Sequence, residues 1–118
     1  MDDVGEVPAG LADAGRELWC SIAEEFELAP HELAVLEQAA RVADQVALLD
    51  AVVARDGVLL EHPQRGPMTH PSLVELRNQR TTLARLLTAL RLPDDDDQRP
   101  QRRGIRGVYR PRGARGAA

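Results

Sequence analysis

The sequence predicts an all-α fold, and three observations lead there. Leu and Ala dominate the stretch from Leu11 to Leu92, with sixteen leucines in the chain against only three aromatics, Trp19, Phe26 and Tyr109. Residues unbranched at Cβ favour helices, whereas strands draw on β-branched and aromatic side chains. Apolar residues recur at three- and four-residue spacing, and Pro30 and Pro71 stand where that periodicity restarts, a position the first turn of a helix tolerates.

The elements follow in order. Residues 1–10 are acidic and broken by Gly5, Pro8 and Gly10, which predicts a flexible N-terminus. A helical oligomerisation domain is expected over 11–92. Its first helix covers about 11–26, where Leu11, Leu18, Ile22 and Phe26 recur at helical spacing, Trp19 lies beside the stripe and Gly15 falls inside. Leu28-Ala29-Pro30 breaks the pattern, and Pro30, His31 and Glu32 form the first turn of a second helix over 30–55, stopped by Asp56-Gly57. The segment 56–70 holds a short apolar run and then Pro63, Gly66 and Pro67, which fits either a tight β-hairpin or an irregular loop. A third helix over 71–91 opens with Thr69 or His70 as its cap and Pro71 in its first turn, and Leu92-Pro93 ends it. Residues 93–118 pass from Asp94–Asp97 into an Arg/Gly-rich stretch without periodicity, a composition expected to be disordered.

The second and third helices are expected to form an antiparallel hairpin. Leu73, Leu76, Arg80, Leu83, Leu87 and Leu90 make a coiled-coil seam with one arginine in it. The second helix is apolar over a wider arc than one partner can cover, so Trp19, Leu36, Ala40, Ala43, Ala47, Leu76, Leu83 and Leu87 are candidates for hairpin packing and for contact between copies. Homo-oligomerisation is expected, against a monomeric three-helix bundle. If Arg55 lies near Pro71, facing residues sum to about 126, which predicts ion pairs Asp44–Arg80 and Asp50–Arg77 that fix the register. The alternative is that Arg80 simply extends its head to water.

Composition narrows the function. The single Cys20 excludes an intrachain disulfide, no apolar run approaches a membrane span, and no secretory signal precedes the first helix, so a cytosolic setting without membrane contact is expected. Without lysine there is no phosphate loop of the G-x-x-x-x-G-K type, nor is there a G-x-S-x-G, so no enzyme is expected. His31, His62 and His70 lack metal-ligand spacing, and four consecutive aspartates form a solvated spacer better than an octahedral cation site. Neither a cofactor nor a metal is expected. Residues 1–97 carry a net charge of −11 and residues 98–118 one of +7, so the two parts face different partners. Arg99, Arg102, Arg103, Arg106, Arg110, Arg112 and Arg115, with Tyr109 interleaved, are candidate DNA contacts on the strength of charge and stacking. An acidic protein surface is the competing partner for them, and a merely solubilising extension is a third reading.

Several blocks together resemble a known family. Gly15-x-x-Leu18-Trp19-x-x-Ile22, Phe26-x-Leu28, Glu32-Leu33-x-x-Leu36, Ala40-Arg41-x-x-Asp44, His70-Pro71 and Leu76-Arg77-x-Gln79-Arg80-x-x-Leu83-x-x-Leu86 stand in the order and spacing of the small terminase subunit of tailed phages, in the short form of phages and prophages of GC-rich hosts. The resemblance covers about residues 10–92. It implies a non-catalytic, ring-forming protein of the host cytoplasm that binds double-stranded phage DNA and recruits or regulates the large terminase subunit, which supplies the ATPase and nuclease. Two departures bear on it: no N-terminal helix-turn-helix is evident, and the family's short basic end is replaced by Asp94–Asp97 and the Arg/Gly stretch. From a different class, a monomeric or dimeric transcriptional or RNA adaptor would also use such an arginine-rich arm.

Overall fold

The computed structural model describes residues 6–93. Three helices, α1 (Asp13–Ala23), α2 (Pro30–Asp56) and α3 (Pro71–Leu90), are joined by a short hairpin of β1 (Leu59–His62) and β2 (Gly66–Thr69). The fold is thus mostly helical, and a two-stranded antiparallel sheet in the 56–70 connection corrects the expectation of an all-α chain and decides for the hairpin over the irregular loop. Leu59 pairs with Thr69 and His62 with Gly66. The His62 Nδ1 accepts from the backbone N–H of Gln64 (3.1 Å) and Arg65 (3.2 Å), tying the turn to its own strand.

α1 is shorter than its apolar spacing suggests. Ala12 is its extended N-cap and offers no side-chain acceptor, while at the other end Glu24 and Glu25 close a turn that leaves Phe26 outside the helix. α2 starts at Pro30, and the Glu32 carboxylate accepts from the Ala29 N–H at 2.7 Å, satisfying a donor left over by the helix start. It ends where Gly57 takes φ 86°, a conformation that disfavours any side chain. α3 starts from His70, the N-cap, and stops at Leu90 because Arg91 turns left-handed (φ 54°).

Both α1 and α3 pack on α2. The core gathers where all three elements meet: Leu11, Trp19, Ile22, Ala23, Leu28, Leu36, Ala40 and Leu90 are buried together, with Leu87 and Leu92 packed against them. The N-terminal stretch is also held there. Val7 packs on this core and the Ala9 carbonyl accepts from Arg41 Nη2 at 3.2 Å, so residues 6–10 are not the flexible segment expected, while residues 1–5 lie outside the described part. Beyond Asp44 toward the β-hairpin only α2 and α3 remain, and side chains there are half-buried or exposed except for Leu76 and His70.

Candidate functional site

The feature that organises the surface is the Asp44 carboxylate. Its Oδ2 accepts from the Ala12 N–H at 2.7 Å and its Oδ1 from the Gly15 N–H at 2.6 Å, so a side chain of α2 caps the first turn of α1 in place of the missing cap at Ala12. The negative charge also lies at the positive end of the α1 dipole. Gly15 makes the approach feasible: a Cβ there would stand 2.5 Å from the Ala40 carbonyl oxygen and 2.6 Å from Asp44 Oδ2.

This corrects the expected ion pairs. Asp44 is committed to α1, and Arg80 instead meets Asp50, at 3.5 Å with both side chains more than half exposed. The reason lies in side-chain direction: a helical side chain leans toward its own N-terminus, which for α3 is the β-hairpin end, so Arg80 reaches one turn toward Asp50 and away from Asp44. Arg77 is exposed and, among the described residues, has no carboxylate within ion-pair distance. Arg80 is therefore a surface contact at the seam's edge and not a buried charge that sets register.

The register is held at the tip instead. His70 is buried; its Nδ1 accepts from the Ser72 N–H (3.0 Å), so its Nε2 carries the proton and donates to Asp56 Oδ2 (3.0 Å). The His70 N–H donates to the Val58 carbonyl at 2.7 Å. Arg55 grips the same carboxylate through Nε (2.8 Å) and Nη2 (3.0 Å). The Arg55 hydrogen bonds first, and the His70 bond after them, hold the Asp56 carboxyl well below the usual carboxylate range. With both Nδ1 atoms spent on backbone donors, His62 and His70 do structural work, and no cluster of metal-ligating side chains occurs among the described residues.

The candidate packing residues divide in three. Trp19, Leu36, Ala40 and Leu76 are buried within the protomer; Ala43, Leu83 and Leu87 are half-buried along the hairpin; Ala47 is exposed. Trp19 Nε1 is buried with no hydrogen-bond partner among the described residues. The Leu36, Ala40 and Asp44 line on which α1 rides continues down α2, at helical spacing, through Ala47, Leu48, Ala51 and Ala54, and all four are exposed because α1 ends at the height of Asp44. Leu48 keeps 60% of its surface in solvent; Val58 and Leu59 at the tip and Val74 on α3 keep half or more. The strip was not legible from periodicity alone, because its exposure depends on where α1 stops.

The outer edge of α3 sets arginines and threonines among alanines. A shallow open groove runs there among Arg77, Arg80, Thr81, Ala84, Arg85, Thr88 and Ala89. The candidate DNA contacts Arg99, Arg102, Arg103, Arg106, Arg110, Arg112 and Arg115 lie outside the described residues. Among the described residues no helix is long and apolar enough to cross a membrane. Comparison with protein-family models, with curated proteins and with solved structures returns no match for the chain.

Proposed function

We propose that the chain is a non-catalytic small terminase subunit: it self-associates into a ring through the distal half of its helical hairpin, engages double-stranded phage DNA, and recruits or regulates a large subunit that supplies the ATPase and nuclease. The observation that carries self-association is the uncovered apolar strip Ala47, Leu48, Ala51 and Ala54, which prolongs a groove already shaped to take a helix at close range. Small side chains let helix axes approach, and an apolar strip left in water favours a second copy. The order of sequence blocks from Gly15 to Leu86 supports the terminase assignment.

DNA contact is assigned to the arginines of 98–118, which carry seven positive charges and no acid. One arm of this kind binds weakly, and many arms on one ring bind by avidity. The solution mass decides the assembly: a species well above a dimer is expected, with Leu48→Glu/Ala51→Glu returning it to monomer, whereas a monomeric wild-type chain refutes the ring and favours the adaptor reading. For the arm, a chain ending at Pro93 is expected to lose most salt-sensitive affinity for DNA of the packaging site. Equal binding by the shortened chain would remove these arginines from the DNA contact.

A further inference from the structure

We propose that copies of the chain join head to tail, the acidic outer edge of α1 in one copy docking on the arginine edge of α3 in the next; this rests on the self-association proposed above. The outward side of α1 presents Asp13 and Glu17, followed by Glu24 and Glu25 in the turn, all exposed. The one base on α1, Arg16, donates to the Leu11 carbonyl at 2.8 Å. From Leu76 onward α3 carries Arg77, Arg80 and Arg85 and no acid. Among the described residues no ion pair joins the two sets within the chain, and only Arg80 has a carboxylate within reach, at 3.5 Å. Each edge lacks in its own protomer the charge that the other edge carries.

The two edges overlap in height at one end of each. Asp44 fixes the first turn of α1 at its own level on α2. The hairpin register, with Leu59 opposite Thr69, sets the Thr82–Arg85 turn of α3 opposite that same level. Asp13 and Glu17 therefore stand level with Arg85, whereas Glu24 and Glu25 lie toward the core end and Arg77 and Arg80 toward the β-hairpin. The contact without axial shift thus pairs the first turns of α1 with Arg85. A contact between two different surfaces generates a ring when each step adds rotation with negligible rise, and an open filament when it adds rise. Pairing either edge with itself across a two-fold axis would set arginine against arginine or carboxylate against carboxylate, which disfavours a simple dimer. Exposed ion pairs are individually weak and screened by salt, so they act here on partner choice and direction, beside the apolar strip.

Charge reversal tests this by mass measurement across a concentration series, with circular dichroism checking that each variant is folded. Glu17→Arg/Glu24→Arg and Arg77→Glu/Arg85→Glu are each expected to need at least about tenfold more protein to assemble, because reversal replaces attraction by repulsion. Mixing the two variants is expected to restore assembly near the wild-type concentration, since each supplies the edge the other lacks. The neutral pair Arg77→Gln/Arg85→Gln, gentler on folding, should fall between wild type and the reversed form. Unchanged assembly in the reversed variants, or a mixture that stays apart, overturns the head-to-tail contact while self-association stands. A loss of DNA retention in the α3 variant at unchanged mass overturns it too and gives these arginines to nucleic acid. A wild-type chain that is monomeric at every concentration removes this contact together with the ring.

Discussion

Removing the Asp44 carboxylate should detach α1 from the hairpin. Asp44→Ala deletes two hydrogen bonds to a charged acceptor, at 2.7 and 2.6 Å, each contributing about 1.5–3 kcal/mol by comparison with other charged pairs. It also deletes the interaction of a negative charge with the α1 dipole, about 0.3–1 kcal/mol. The Ala12 N–H is exposed and regains a water partner, whereas the Gly15 N–H is part-buried, so the net loss is set at about 2–4 kcal/mol. A domain of this size shifts by about 4–8 °C per kcal/mol, which predicts a Tm lower by about 8–32 °C. Asp44→Asn should lose at least half of this, because its amide sets a donor against one of the two N–H groups. Thermal unfolding by circular dichroism measures the loss at fixed protein concentration, since assembly itself raises Tm. Trp19, buried on α1 and the only tryptophan, reports detachment through a red-shifted emission. If Asp44→Ala melts within about 2 °C of wild type with unshifted emission, the cap is not what seats α1.

Three further outcomes follow from the same geometry. Gly15→Ala, which by helix propensity alone would stabilise by about 1 kcal/mol, should instead destabilise by about 1–3 kcal/mol because its Cβ meets the Ala40 backbone; a higher urea midpoint would refute the close contact. The carboxyl of Asp56 ionises more readily in the folded chain than in the unfolded one, so its contribution is fully present above about pH 4 and is lost as pH falls below that toward its depressed folded value. Acid unfolding of Asp56→Asn should therefore show a shallower pH dependence below about pH 4 than wild type, and identical slopes would count against the pairing. A double-mutant cycle should find coupling of no more than about 1 kcal/mol between Asp50 and Arg80 and none between Asp44 and Arg80; the reverse pattern would restore the register first read from the sequence.

Helix positions were legible in the sequence because the chain marks them locally: Pro30, Asp56-Gly57 and Pro71 punctuate the apolar period, and the boundaries of α2 and α3 fall within one residue of those marks. The leucine seam of α3 was equally local, and Leu76 and Leu90 are indeed buried. What escaped were contacts whose partners carry no side-chain signal. Asp44 meets backbone N–H groups 29 and 32 positions away, which no spacing of side chains records. The β-hairpin was undecided because Leu59–His62 and Gly66–Thr69 are only four residues each, too short for an alternation to stand out. The choice of Asp50 by Arg80 needed the lean of helical side chains, not only the facing positions.

The concentration of the core at one end means that α2 is a single helix living in two environments. Around Leu36 to Ala40 it is wrapped by neighbours on several sides, while from Ala47 onward its backbone is shielded by α3 and little else. Opening free energy should therefore fall along one continuous helix, with amide protons exchanging slowly near Leu36 and quickly near Ala51. A second copy laid on the distal strip would slow exchange selectively in that faster half. Association and local ordering would then be one event, and the affinity between copies would include the free energy of quieting the hairpin's free end.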